Sequence, residues 1–183
     1  IAEDQLFPAS AWANAYAGFV LLHKAAQLVN GFGMTDAEIA YLAAHGADFD
    51  GFDFGDLPLA PYPTAAARQA AARSHFNRWE RLHDLFTFRS SLPHPERLLD
   101  VLAAAALPAT TAEQISAHLT EAKAKLVEGA GWDRQAVDEA TGPDGFNATL
   151  DFFKNERGLV RLAECLALAR RIGGKPKAAD PAA

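Results

Sequence analysis

Cysteine, whose disulfides stabilise many small folds, is almost absent from the sequence. It contains a single cysteine, Cys165, so an intramolecular disulfide is excluded. A chain of 183 residues is nevertheless long enough to bury a hydrophobic core without disulfides or metals. The cysteine content therefore excludes a disulfide-stapled scaffold, and it leaves the cellular compartment open.

Positive charge is also scarce. Lys and Arg total 17 against 23 Asp and Glu, a formal net charge of −6. Nucleic acids and anionic membrane surfaces are bound through clustered Lys and Arg, so neither is predicted as a partner. The most apolar run, residues 12–22, contains Asn14 and is too short to span a bilayer, so no membrane insertion is predicted.

The first residues lack the features of a secretory leader. Glu3 and Asp4 stand where a signal peptide carries basic residues, and the chain begins at Ile1. We therefore expect no signal peptide in this chain, which we interpret as a processed protein or a piece of a longer one.

Helix-forming residues dominate what is present. Half of the residues are hydrophobic, many of them Ala, and β-branched residues are few, which favours helix. Thr35 with Glu38 and Thr111 with Gln114 are capping boxes, which start helices. No convincing strand is found, and the sequence predicts an irregular all-α bundle of about six to eight helices. The predicted helical segments are 10–30, 35–46, 64–90, 95–105, 111–129, 133–141, 147–153 and 155–172.

Two helices carry most of the aromatic residues. The first is apolar nearly all round, which predicts a central, largely buried helix with Ser10 as its N-cap. On the third helix, Phe76, Trp79, Leu82 and Phe86 recur at helical spacing, so this stripe is predicted to face the core.

The predicted domain organisation has three parts. Residues 1–9 are an N-terminal extension, and residues 10–173 form the helical domain, as one body or as two packed halves, 10–106 and 110–173. Residues 47–63 lack helical periodicity and are rich in Asp, Gly, Phe and Pro, which predicts one long ordered loop. Residues 174–183 are rich in Lys, Pro and Ala, and we expect a disordered tail or a linker.

That loop carries four acids, which raises the question of a calcium site. They are Asp48, Asp50, Asp53 and Asp56. A calcium loop of the helix-loop-helix kind needs acids at its first, third and fifth positions, then Gly and a later Glu, and this spacing fails. Two interpretations of the acids stay open. They are solvated turn residues that flank buried Phe49, Phe52 and Phe54, or they form a single calcium site of another kind.

Glu80 and His83 form a Glu-x-x-His pattern on the third helix. Di-iron bundles need two such motifs and two further Glu, and only this copy is present. His75 lies eight residues before His83, on nearly the same face, but the helix offers no Cys or further His for zinc. A surface pair is the simpler interpretation, and no metal site is predicted.

No nucleophile with an activating base is apparent either. Cys165 lies beside an apolar stripe and is predicted to be a core residue. Ser90 and Ser91 lie at a helix end, where capping or turn formation is usual. His23 is interpreted as a core histidine, and there is no glycine-rich phosphate loop. No catalytic residue, cofactor or small-molecule substrate is therefore predicted.

Three stretches, taken in order, resemble a known family. They are LLHKAAQLVNGF (residues 21–32) with 34–42, FNRWERL (76–82) with 92–93, and GWD (131–133) through residue 137 with 152 and LVRLAECLALARRIG (159–173). Together they are similar to the helical shell region of insecticidal toxin complex A subunits and of related virulence plasmid A proteins, also labelled neuraminidase-like.

The resemblance implies a role rather than a reaction. Proteins of that family are very large, form pentamers, bind host surfaces and translocate a toxic cargo through a channel that the shell encloses. This chain would then be a non-enzymatic scaffold and interaction domain, in contact with other parts of the same bacterial protein or with toxin-complex subunits, and secreted or held at the cell surface. Two alternatives stay open: a free-standing helical interaction module, and a small helical metal-dependent enzyme using His75, Glu80, His83 and nearby acids.

Overall fold

A computed structural model describes residues 9–59 and 64–173, with side chains from Trp12 onward. Within these ranges it contains eight α-helices and no strand, which confirms the predicted all-α fold. The helices are α1 Ala9–Phe32, α2 Asp36–His45, α3 Ala65–Ser91, α4 Leu98–Ala106, α5 Ala112–Ala130, α6 Arg134–Thr141, α7 Leu150–Phe153 and α8 Glu156–Ile172. Residues 1–8, 60–63 and 174–183 lie outside the described residues, and with them most of the predicted extension and all of the predicted tail.

Helix starts follow the sequence signals closely. Both capping boxes are formed: the Thr35 and Thr111 side chains each accept the backbone N–H three residues on, and Glu38 and Gln114 bond back. Thr64 Oγ1 accepts the Ala67 N–H at 3.1 Å, and this bond supports the start of α3. These bonds satisfy backbone donors that a helix start leaves unpaired. Because their partners are only three residues apart, the sequence alone predicts them.

Some predicted boundaries are displaced. Helix α1 begins at Ala9, so Ser10 lies inside its first turn and is not its N-cap. At the other end, Gly31 still lies within the helix, which ends at Phe32, just before Gly33 with its φ of +58°. Pro95–Arg97 forms a 3-10 turn before α4. Helix α7 starts at Leu150 rather than near Asn147, whose φ of +46° is incompatible with a right-handed helix.

The described chain forms two compact units that divide between Leu82 and His83. This boundary lies inside α3, whereas the sequence suggested halves that meet near residues 107–109. In the first unit, the predicted ordered loop follows α2 and contains two 3-10 turns, Gly46–Phe49 and Phe54–Asp56. In the second, α4 packs against α5 and α7, and α8 packs against α6 and α7.

The two units bury different parts of the apolar sequence. The loop supplies Phe49, with none of its surface exposed, and Phe52 to the first unit, as predicted, while Phe54 is half-buried. In the second unit, Leu126, Val137, Phe153, Leu159 and Leu162 are at most 1% exposed.

Several residues predicted to be buried are exposed instead. On α1, Trp12, Tyr16, Phe19 and Leu22 are 64%, 72%, 73% and 67% exposed, so the prediction of a largely buried first helix is wrong. On α3, Leu82 and Phe86 are buried, but Phe76 and Trp79 are 57% and 43% exposed. Helical spacing identifies an apolar face, but it does not say how much of that face a neighbour covers.

Two glycines in helices should respond oppositely to alanine. A methyl group on buried Gly158 would overlap the Phe152 carbonyl oxygen and lie 2.9 Å from the Phe152 ring, whereas one on Gly18 would meet nothing within 4 Å. We expect Gly158→Ala to destabilise the fold by about 1–3 kcal/mol through overpacking. Gly18→Ala should stabilise it by about 0.5–1 kcal/mol through helix propensity. Urea unfolding of both variants measures the two signs, and a stabilised Gly158→Ala would contradict the close approach.

Candidate functional site

A buried arginine fastens the loop of the first unit to α3. Arg81 is 4% exposed, and its guanidinium donates to Asp50 Oδ1 and to the Asp48 carbonyl oxygen, each at 3.0 Å. Its carbon Cζ also lies 5.8 Å from the centre of the Phe49 ring. Burying a charged guanidinium costs desolvation free energy. The planar group offsets this cost because its N–H donors bind several acceptors at once.

The backbone of the loop is shaped to meet that arginine. Asp50 adopts the left-handed conformation at φ +57°, which Asp tolerates better than most residues. One helical turn before Arg81, Arg78 donates from Nε to the Asp50 carbonyl oxygen at 3.3 Å and pairs with Asp56 at 3.5 Å. Two arginines three residues apart on α3 therefore bind both ends of the acid-rich part of the loop, residues 48–56, which we call the acidic segment.

The acidic loop does not gather its carboxylates into a cation site. Asp50 and Asp56 bind arginines, and Asp53 Oδ1 accepts the Gly55 N–H at 2.7 Å. Among the residues that the structure describes, no three His, Cys, Asp or Glu side chains are placed to hold a metal ion. The acids act here as turn and ion-pair residues.

Behind the acidic segment lies a cavity of about 180 Å³, which we call the loop cavity. Its walls come from α1, the loop and α3, all within the first unit. On the loop side, the Lys24 ammonium of α1 donates to the Pro58 carbonyl oxygen. The lining residues are Leu28, Phe52, Asp53, Asp56, Leu57, Pro58, His75, Arg78, Trp79 and Leu82.

Tyr41 lies against the same loop. Its ring stacks on His45 with centroids 4.4 Å apart and meets the Phe49 ring edge-on at 6.4 Å. Burial raises the pKa of Tyr41 well above its usual range, and the charge of Asp48 raises it further. The phenol is therefore neutral in the folded protein, where its ring packs against His45 and Phe49.

The other sequence candidates are scattered. Glu80 and His83 are exposed, and His83 Nδ1 lies 3.4 Å from Asp84 Oδ1, while His75 lines the loop cavity. Cys165 and His23 are exposed, so the interpretation of both as core residues is wrong. Their positions lie at the edges of apolar stripes, where neighbouring elements decide burial.

The serines at the end of α3 bond within their own helix. Ser90 Oγ donates to the Phe86 carbonyl oxygen at 2.8 Å, and Ser91 Oγ donates to that of Phe88 at 2.7 Å. The Ser91 bond reaches one of the last four carbonyls of α3, as expected for a residue that caps a helix end, whereas the Ser90 bond is made to a carbonyl within the helix.

The other surface that stands out is the aromatic face of α1, formed by Trp12, Tyr16, Phe19 and Leu22. These residues follow at intervals of four, three and three, so they lie along one side of the helix. Lys24 is the one Asp, Glu, Lys or Arg in α1, so charged side chains do not screen this face. None of the described helices is at once long and apolar enough to cross a membrane.

Neither the buried Arg81 pair nor the loop cavity was predicted from the sequence. The available signal was the spacing: Arg81 lies beside Leu82 and four residues before Leu85, on the buried side of α3, while the preceding loop is rich in acids. An arginine at a core position opposite an acidic loop indicates a buried pair.

Comparisons with protein-family models, curated proteins and solved structures found no match for this chain.

Proposed function

We propose that this chain is a non-enzymatic helical scaffold that binds protein partners through the aromatic face of α1. The observation that carries the proposal is the exposure of Tyr16, Phe19 and Leu22, at 72%, 73% and 67%. Contiguous exposed apolar side chains of this size mark interaction surfaces in soluble proteins. Aromatic residues are also the commonest energetic anchors of such surfaces.

The proposed partner is another part of a large toxin-complex-like A protein. The stretch at residues 21–32, which resembles the shell region of that family, lies on α1 and so adjoins the aromatic face. In that setting the protein would work at the bacterial surface or after secretion, as a structural element of an assembly that binds hosts and translocates toxin. A free-standing interaction module is the second candidate, and the same exposed face supports it.

Binding to flanking segments tests the proposal. The neighbouring parts of the parent protein, and toxin components encoded beside it, would be produced separately and mixed with this chain, and complexes measured by size-exclusion chromatography and calorimetry. We expect a complex with the unaltered chain. Phe19→Ser combined with Leu22→Ser should weaken it at least about tenfold, since anchor residues dominate binding energy.

A matched variant separates this face from general surface apolarity. Leu168 and Ile172 of α8 are 56% and 75% exposed, so Leu168→Ser with Ile172→Ser removes similar apolar surface elsewhere. That variant should bind as the unaltered chain does. Equal binding by the α1 variant would refute the role of the face. A parent gene that encodes little more than this chain, without toxin components nearby, would favour the free-standing module.

A further inference from the structure

The loop cavity has the size of a site for one aromatic ring. Its volume is about 180 Å³, and its walls are almost wholly apolar. An engineered apolar cavity of about 150 Å³ stays dry and binds benzene, so a cavity of this size is large enough to receive such a ring. The apolar walls are Leu28 from α1, Phe52, Leu57 and Pro58 from the loop, and Trp79 and Leu82 from α3.

The charged residues at the cavity are already engaged within the protein. Arg78 pairs with Asp56 at 3.5 Å and also donates to the Asp50 carbonyl oxygen at 3.3 Å. Asp53 accepts the Gly55 N–H at 2.7 Å. A ligand is therefore not needed to satisfy these groups, and a charged ligand would gain no unpaired counter-charge in return for its lost hydration.

The cavity also has an approach from solvent. Trp79 forms part of its wall and is 43% exposed, and the Asp56 side chain at its rim is 62% exposed. The wall made by Trp79 thus reaches the surface, where a small molecule can enter. Charges of both signs lie at the cavity, Asp53 and Asp56 together with Arg78, and each has a partner within the protein, so the site favours an uncharged ligand.

We propose that the loop cavity binds a small, uncharged aromatic molecule of one ring. Phe52 and Trp79 supply aromatic surfaces for edge-to-face or offset contact, and Leu28, Leu57 and Leu82 supply the apolar packing. Binding of this ligand is separate from protein binding through the aromatic face of α1, and neither kind of binding depends on the other.

Amide NMR titration of the full chain with benzene tests the site directly. We expect saturable shifts centred on Phe52, Leu57 and Trp79. The dissociation constant should be about 1 mM or lower, which a ligand of six heavy atoms can reach. Benzoate, the anionic counterpart, should bind at least tenfold more weakly. Shifts that do not saturate, or benzoate binding as tightly as benzene, would overturn the proposal.

A filling variant and a matched control locate the binding. Leu57→Trp occupies the cavity, whereas Leu168→Trp adds the same bulk to a side chain of α8 that is 56% exposed. Benzene binding should weaken at least tenfold in the first and stay unchanged in the second. If the amide spectrum shows that Leu57→Trp does not fold, the milder Leu57→Phe replaces it. Undiminished binding in a folded filling variant would place the ring elsewhere and reject the site.

Discussion

Replacing Phe49 with alanine should destabilise the protein by about 3–5 kcal/mol, the usual cost of deleting a fully buried aromatic ring. Phe49 has no exposed surface, and its ring contacts both the Tyr41 ring and the Arg81 guanidinium. Its removal leaves a void beside the buried Arg81 guanidinium. Urea unfolding followed by circular dichroism gives the free-energy change.

Phe76→Ala is the matched control, because the residue type is the same and 57% of its surface is exposed. Its cost should stay below about 1 kcal/mol, as expected for a surface substitution that creates no cavity. Equal costs for the two variants would mean that the loop does not form the core of the first unit.

Asp50→Asn should be the second most damaging change, at about 1.5–3 kcal/mol, the range for a hydrogen bond to a charged group. The substitution keeps the shape of the side chain and suits the left-handed backbone at φ +57°, so it isolates the loss of charge. Arg81 would then keep its bond to the Asp48 carbonyl oxygen but lose its ion pair with Asp50. Thermal and urea unfolding measure the cost.

Asp56→Asn removes the other arginine pair of the same loop. The Asp56 side chain is 62% exposed and its partner Arg78 22% exposed, so water screens this pair. Its loss should cost less than about 1 kcal/mol. A larger effect at Asp56 than at Asp50 would show that Arg78, not Arg81, holds the loop.

The helices themselves were predictable because their signals are local. The boxes at Thr35 and Thr111 and the left-handed glycines Gly131 and Gly173 act within one helical turn. Prolines after Ser91 end α3 in the same way. Each signal concerns backbone groups whose partners lie a few residues away, so sequence spacing describes the interaction completely.

The candidate site was only partly predictable. The acidic loop, its ordered character and its buried Phe49 and Phe52 follow from composition and spacing. The binding of Asp50 by Arg81 does not, because the two residues are 31 positions apart and their meeting depends on how the loop folds back on α3. The loop cavity is likewise a property of three segments together.

The sequence by itself determined the helical class, most helix boundaries and the scarcity of positive charge. Tertiary structure decided which apolar faces are covered: Leu82 is buried, and Trp79 on the same stripe is 43% exposed. It also decided that the most apolar helix, α1, presents Tyr16 and Phe19 to solvent. The physical reason is that periodicity reports only the pattern of one segment, whereas burial is a relation between surfaces distant in the chain.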